Sequence, residues 1–523
     1  MGTDPFTPTV HAPSGMVCSA DHLASSAGAA LLRRGGSAVD AAVGANAVLA
    51  VADPHLCGMG GDLLALVHDG IGPPVALNAA GRAGSGADPE RLRSEGHRVM
   101  PFRGDIRSVT VPGCVDGWCA LHDRFGRLPL SEVLAPAIEY AEDGWPASVL
   151  LAFMAPSVAT VVDVEDWATR PVADGQRLRR PRTAATLRAV VDQGRDGFYG
   201  GAFGAGLLAM GGGEFTPEDL DGRPDWVEPL GLRAWGHDLW TMPPSSQGYL
   251  VLAGAGVLDP LDLPDTEDPA WPHLLAEAAR VTGADRYEVL SEQADGAELL
   301  TAERLQAARD RLDPARRVEV PWGGPRPGDT TVITAVDRRS QGVTLIQSNA
   351  KDFGVHLVEP ATGTFLHNRG NGFRLEPGHD AEYGPGRRPP HTLSPALVTT
   401  PAGVLRAVVG TMGGDSQPQV VLQLIARMLA AGQEAGPAMS APRVVLDRTG
   451  GTGFDLWDGP DRLLVEDHAP DAWFDGLRSR GHDAIRRSGF SGEFGHAQVI
   501  EVTDDGPRGA ADPRALIGAA VGH

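Results

Sequence analysis

The sequence predicts an α+β fold built in layers. Three features point to it: punctuated helical stretches in the first half, a Pro- and Gly-rich break near residue 318, and paired β-branched runs followed by a helix. Helices first and antiparallel strands afterwards argue against a doubly wound parallel sheet, in which the two alternate along the chain.

Ser37 can cap a helix running through Ala41–Ala52, and Pro54 ends it. Ser131 can cap a second, with Val133, Leu134, Ala137, Ile138 and Ala141 on one face and Gly144 then Pro146 as the stop. Val318–Asp329 carries Pro321, Gly323, Gly324, Pro325, Pro327 and Gly328, which no helix or central strand tolerates, so it reads as an exposed linker. Thr331–Val336, a turn at Arg338–Gly342 and Val343–Gln347 then form a hairpin. A second pair, Ala396–Thr399 and Val404–Val409, flanks the Pro401-Ala402-Gly403 turn. Gly413-Gly414-Asp415-Ser416 leads into a helix over Pro418–Ala431 with Val420, Val421, Leu424, Ile425 and Leu429 as its apolar stripe.

Composition narrows the function classes. The net charge of −22, from 67 acidic against 45 basic residues, repels phosphate backbones and anionic membranes, which argues against nucleic-acid or membrane partners. Cys18, Cys57, Cys114 and Cys119 form neither a C-x-x-C pair nor a zinc-finger pattern and read as ordinary small buried residues. The opening, Met1 to Val17, lacks the basic start and apolar stretch of a secretory signal, so a cytoplasmic protein is expected, with Met1–Thr7 in place of a removed leader as the alternative.

Thr330, directly behind the linker and opening a strand, can be the nucleophile of a self-cleaving hydrolase. Its hydroxyl would attack the Asp329 carbonyl, and hydrolysis of the resulting ester would free an α-amine. With an ordinary pKa of ~7.7–8.0, that amine can serve as general base for the same hydroxyl. A simple β-favouring residue at a strand start is the other reading. Gly413-Gly414 ahead of a helix offers two unhindered N–H groups for an oxyanion hole, or merely a tight turn. Gly58-Met59-Gly60-Gly61-Asp62 lacks the spacing of a phosphate loop, so no nucleotide site is expected there.

Several motifs in order resemble the γ-glutamyltransferase (γ-glutamyltranspeptidase) family along nearly the whole chain. Gly35-Gly36-Ser37-Ala38-Val39-Asp40-Ala41-Ala42 is similar to its G-G-N-A-V-D-A-A signature, and Asp53-Pro54-His55 with Gly58–Asp62 to its E-P-H and G-x-G-G continuation. Val111-Pro112-Gly113, Phe125-Gly126-Arg127-Leu128-Pro129, Pro243-Pro244-Ser245-Ser246-Gln247-Gly248 and Gly328-Asp329-Thr330-Thr331 recur at family spacing. The resemblance implies a four-layer αββα sandwich of the N-terminal-nucleophile type. It also implies autocatalytic cleavage at Asp329–Thr330 into intertwined subunits, residues 1–329 and 330–523, a heterodimer able to associate further. The substrate would be a small amide or γ-glutamyl compound and the acceptor water or an amine, with no metal or organic cofactor.

Carried over by position, Thr330 is the nucleophile, Ser348 bonds its freed α-amine, Gly413 and Gly414 hold the oxyanion, and Arg82 grips the donor's α-carboxylate. The departures concern substrate. Where the main branch has N-N-x-x-D-D-F, this chain has His367-Asn368-Arg369-Gly370-Asn371-Gly372-Phe373, so Gly372 replaces the carboxylate that binds an ammonium and Arg369 adds a positive charge. Asn371 lies between them. His391 and Thr392 stand where the main branch has a Ser-Ser pair; His391 either holds a substrate oxygen or is merely packed. Together with Met412–Gln419, these features resemble a divergent branch that includes oxamate amidohydrolases. The expected activity is therefore amide hydrolysis through an acyl-enzyme, on γ-glutamyl compounds or on a small dicarboxylic monoamide, with an uncleaved non-catalytic member as the remaining alternative.

Overall fold

The computed structural model describes residues 7–165, 170–320, 330–447 and 462–523. Asp329 and residues 321–328 of the expected linker therefore lie outside the described residues. Two seven-stranded antiparallel sheets face each other. Before residue 330 come β1 (Val10–His11), β2 (Met16–Ser19), β3 (Asp62–Asp69), β4 (Val75–Ala79), β5 (Asp225–Val227), β6 (Leu230–Ala234) and β7 (His237–Thr241). After it come β8 (Thr331–Val336), β9 (Gln341–Ser348), β10 (Ala396–Thr399), β11 (Leu405–Thr411), β12 (Ala497–Thr503), β13 (Gly506–Ala511) and β14 (Ala519–Gly522). One sheet runs β1-β13-β12-β11-β10-β7-β6 and the other β14-β2-β8-β9-β3-β4-β5, so both draw strands from either side of Thr330.

Helices α1 (His22–Arg33), α2 (Ala38–Ala52), α3 (Cys114–Phe125) and α4 (Leu130–Asp143) pack with the outer face of the β8 sheet, and α5 (Tyr249–Leu258), α6 (Ala270–Gly283) and α7 (Gln417–Leu429) with that of the β11 sheet. The period-two rule assigns the faces of the strands. Ile333, Ala335, Val343 and Leu345 point to the first helical layer, whereas Val332, Val336 and Ile346 meet Leu397, Leu405 and Val408 between the sheets. The result is the four-layer α+β sandwich.

The two hairpins and the closing helix lie where expected, with β9 beginning at Gln341, β11 at Leu405 and α7 at Gln417. Ser37 accepts the Asp40 amide and Asp40 returns a bond to the Ser37 amide, a reciprocal cap that starts α2. Two expectations change. Helix α4 begins at Leu130, because Pro129 at φ −56° already sets up the first turn, and the exposed Ser131 caps nothing. The first half is also not purely helical, since it supplies seven of the fourteen strands of the two facing sheets. Strand β3, Asp-Leu-Leu-Ala-Leu-Val-His-Asp, is buried over its first seven residues, so both faces are filled and no polar alternation marks it. All four cysteines are free thiols.

The sheets come into close contact at Gly410, where a Cβ would lie 2.5 Å from Val332 Cγ2 and 3.0 Å from Thr344 Cγ2. Gly410→Val should overpack this point and lower the unfolding free energy by about 1–3 kcal/mol, read from denaturant titration. A change smaller than about 0.5 kcal/mol would show that the sheets are not in contact there.

Candidate active site

Thr330 is 1% exposed and precedes the first residue of β8. Its Oγ1 lies 3.0 Å from Oγ of Ser348, the last residue of β9. The pairing of Thr331 with Gln347 makes this contact inevitable, because the next position out on each strand is Thr330 and Ser348. Ser348 Oγ also accepts the Ala350 amide at 2.8 Å, which occupies one of its lone pairs. The loop before β3 buttresses the pair. Gln347 exchanges two bonds of 2.9 Å with the Gly58 backbone, and Asn349 Nδ2 donates to the Pro54 carbonyl at 3.1 Å.

Packing between the sheets brings Gly413-Gly414 to the same end. Gly342 of β9 faces Leu405 and Val408, and Gly410 faces Thr344 and, more distantly, Ile346. Strands β9 and β11 therefore run in the same direction across the sandwich, and the residues just past Thr411 come out beside Ser348. Gly413 at φ 132° and Gly414 at φ 56° adopt left-handed conformations that favour glycine. Among the described residues neither amide donates a hydrogen bond. Their carbonyls are engaged instead: Gly413 O takes the Ser416 amide and hydroxyl, and Gly414 O takes Gln247 Nε2 at 3.1 Å. A single turn, Gly414–Ser416, separates the pair from α7, so the amides sit near the positive end of that helix.

Behind Ser348 lies a buried charge cluster. Asp62 pairs with Ser348 across β3 and β9, is fully buried, and accepts Arg369 Nε at 2.6 Å and His391 Nε2 at 2.8 Å. Burial alone would raise its carboxyl, but Arg369, then His391 and the His367 ring, hold it well below the usual carboxylate range. Burial, reinforced by the Arg369 charge, pushes the His391 imidazole down to about 4, against the pull of Asp62, so it is neutral at pH 7. His391 also accepts the Leu393 amide on Nδ1 at 3.2 Å, so both ring nitrogens are occupied. A fully buried ring with no nitrogen to spare cannot hold a substrate oxygen; His391 is a structural partner of Asp62. Asn371 is 4% exposed and returns its amide to the Asn368 carbonyl. Thr392 Oγ1 accepts Arg369 Nη1 at 3.1 Å.

Arg369 and Thr392, with Gly372, Arg286, Tyr287, Arg374 and Asp415, line a small pocket of about 40 Å³. Asp415 follows the Gly413-Gly414 turn and bonds Arg286 Nη2 at 2.7 Å. Arg82 is placed elsewhere. Its guanidinium donates to the Gly386 carbonyl at 2.8 Å and pairs with Glu292 at 2.7 Å beside a separate cavity of about 250 Å³ that neither Thr330, Ser348, Gly413 nor Gly414 lines. Sequence reasoning gave no role to Asp62, Gln247, Arg286, Arg374 or Asp415. Gln247 and Asp62 stood inside quoted motifs, but Arg286 and Arg374 carry no local signal.

Among the described residues one buried trio, His273, Glu277 and His482, has potential metal-ligand atoms within 4.8 Å of one another. It is already bonded internally: His273 Nδ1 meets His482 Nε2 at 2.8 Å, and Arg280 Nε donates to Glu277 at 2.8 Å. A cation beside the carboxylate disfavours a dication, so the trio reads as packing.

The His391 shift has a signed consequence. The unfolded chain, with histidine near 6.5, binds more protons than the folded one between about 4 and 6.5. Stability should therefore fall as pH drops below about 6.5, by ~2 kcal/mol from this group at pH 5. His391→Gln should lose that share of the slope when unfolding free energy is measured from pH 7 to 5; parallel curves for the two proteins would contradict it.

A γ-glutamyltranspeptidase family model matches residues 24–522. The oxamate amidohydrolase proenzyme of Klebsiella pneumoniae is 38% identical over 538 aligned positions, covering 97% of this chain and 98% of that one. A glutathione hydrolase-like proenzyme of Bacillus subtilis is 33% identical, with the same coverage of both chains. The crystal structure of cephalosporin acylase from Bacillus halodurans superposes with a TM-score of 0.89 at 29% identity, covering 100% of this chain and 99% of the other. With a fold match over the full length and a family match over nearly all of it, the chain belongs to the γ-glutamyltranspeptidase family of hydrolases and acyltransferases.

Proposed function

We propose that the enzyme cuts itself between Asp329 and Thr330 and then hydrolyses small acidic amides through an acyl-enzyme on Thr330. The observation that carries this reading is the 3.0 Å contact between the Thr330 and Ser348 hydroxyls at the strand ends reached by the Gly413-Gly414 turn, whose amides have no acceptor among the described residues. In maturation, Thr330 Oγ attacks the Asp329 carbonyl and the acyl group passes from nitrogen to oxygen. That shift frees the Thr330 amine, and water then cleaves the ester, releasing the Asp329 carboxylate and restoring the Thr330 hydroxyl. In turnover, that amine takes the hydroxyl proton as Oγ attacks the amide carbon, and the Gly413 and Gly414 amides hold the oxyanion. The proton passes to the leaving nitrogen, and water, activated by the same amine, releases the acid. Ser348 keeps the hydroxyl and the new amine aligned.

The substrate assignment rests on charge and space. A Cβ at Gly372 would come 2.5 Å from the Pro390 carbonyl, so this backbone has no room for the carboxylate that would receive a donor ammonium. A pocket of about 40 Å³ has space for about three waters, which suits a short acid better than a glutamyl chain. The 38% identical relative, by its name an oxamate amidohydrolase, supports the same class. The names of the glutathione hydrolase relatives favour a second reading, γ-glutamyl hydrolysis or transfer.

On a denaturing gel the wild-type chain should resolve into fragments 1–329 and 330–523, while Thr330→Ala should stay whole near 54.7 kDa and lose activity by several orders of magnitude. Cleavage of the alanine variant at the same bond would dismiss the mechanism. Oxamate should be turned over with kcat/KM at least about tenfold above that of a γ-glutamyl anilide, a 1.4 kcal/mol difference at the transition state. The reverse preference would establish the second reading.

A further inference from the structure

We propose that the hydroxyls of Thr411 and Ser416 are positioning groups that aim the two oxyanion amides, each by holding the carbonyl that shares a peptide plane with one of them. The proposal rests on the reading that the Gly413 and Gly414 amides receive the oxyanion, and it adds the side chains that fix their direction.

A trans peptide is planar, so its C=O and the following N–H point in opposite directions and neither turns without the other. The Gly413 N–H shares a plane with the Met412 carbonyl, and the Gly414 N–H with the Gly413 carbonyl. Side chains hold both carbonyls. Thr411 Oγ1 donates to Met412 O at 2.7 Å, and Ser416 Oγ donates to Gly413 O at 2.7 Å, beside the Ser416 amide at 3.1 Å. Each glycine amide therefore points away from the hydroxyl that holds its plane. The third carbonyl in the row, Gly414 O, takes Gln247 Nε2, so three successive peptide planes are pinned. Such restraint matters here because Gly413 at φ 132° and Gly414 at φ 56° have no Cβ to limit rotation. An amide free to swing would lose the preorganisation on which an oxyanion hole depends.

Neither hydroxyl has its ordinary local use. Ser416 is the N-cap of α7, where a serine oxygen normally accepts an amide of the first turn; this one accepts none and reaches back to Gly413. A Cβ on Gly413 would come 2.8 Å from that oxygen, so glycine leaves the hydroxyl its place. Thr411 is fully buried at the end of β11. Gly495 packs against its bond so closely that a Cβ would lie 2.6 Å from Met412 O and 2.7 Å from Thr411 Oγ1. Each hydroxyl–carbonyl bond is thus bordered by a glycine whose side chain would displace it.

Kinetics give the first test, on the cleaved fraction and with whichever of oxamate and a γ-glutamyl anilide the wild type hydrolyses faster. Ser416→Ala and Thr411→Val should each lower kcat roughly tenfold or more, part of what losing a whole donor costs, and leave KM within about twofold. Ser416→Thr and Thr411→Ser keep the hydroxyl and should stay within about threefold of the wild-type kcat. A rise in KM at constant kcat, or a loss that the hydroxyl-keeping variants share, would overturn the proposal.

An amide signal separates the proposal from the reading beneath it. Isotopic labelling of methionine carbonyl carbons and glycine nitrogens reports only Met-Gly peptides, of which the chain has four, at 1–2, 59–60, 210–211 and 412–413. The signal lost in Met412→Leu is that of Gly413. Boric acid, at a concentration that stops turnover, adds to Thr330: boron accepts the hydroxyl lone pair, the α-amine takes the proton, and a tetrahedral anion results. The Gly413 signal should shift on this adduct in wild type and in Thr411→Ser, and by less than half as much in Thr411→Val. A wild-type signal that ignores the adduct would remove the oxyanion reading, and the positioning role with it. An equal shift in Thr411→Val with wild-type kcat would overturn the positioning role and leave the reading standing.

Discussion

The antiparallel pairing of Thr331–Val336 with Gln341–Ser348 is the constraint from which the rest of the site follows. A strand register admits no half-steps, because a slip of one residue turns every side chain to the opposite face. With Thr331 opposite Gln347, Thr330 and Ser348 fall side by side, and Val332 and Ile346 point between the sheets while Ile333 and Leu345 point to the helices. Strand β8 is held on its other edge by β2, with Thr334 opposite Cys18. A backbone break just before Thr330 would therefore leave the strand that follows it held on both edges, and the two pieces could not part without dismantling both sheets.

The second organising feature is a charge taken out of water. Asp62 is fully buried and survives as a carboxylate because Arg369 and His391 surround it. Replacing such a cluster by apolar side chains commonly costs little stability, so its presence calls for another use. Here it fixes Arg369 against Thr392 at the edge of the pocket, and it stands directly across the sheet from Ser348. The electrostatics of the pocket are thus set by residues from β3, the turn at Arg369–Gly372 and the segment at His391–Thr392, three parts of the chain far apart in sequence.

The acidic surface and the basic pocket are consistent with one another. A net charge of −22 is spread over the whole chain, whereas Arg286, Arg369 and Arg374 are gathered around one small space. Local geometry, not the overall balance, decides which ion is welcome there.

Local sequence was enough for features whose physics is local. Ser37 and Asp40 cap a helix within four residues, the Gly413-Gly414 pair needs no side chain, and the β-branched hairpin after Thr330 carries its own turn. The motif order around Asp53, Val111, Pro243 and Thr330 pointed to the family as well. Strands of the first half escaped that reading because β3 is buried on both faces and so shows no alternation. The occupied state of His391, the displacement of Arg82 to another cavity and the convergence of Arg286 and Arg374 on Gly372 were decided only by the tertiary structure. A sequence records which side chains are available, but which charge a guanidinium or an imidazole faces depends on groups hundreds of residues away, brought into contact only when the sheets close on each other.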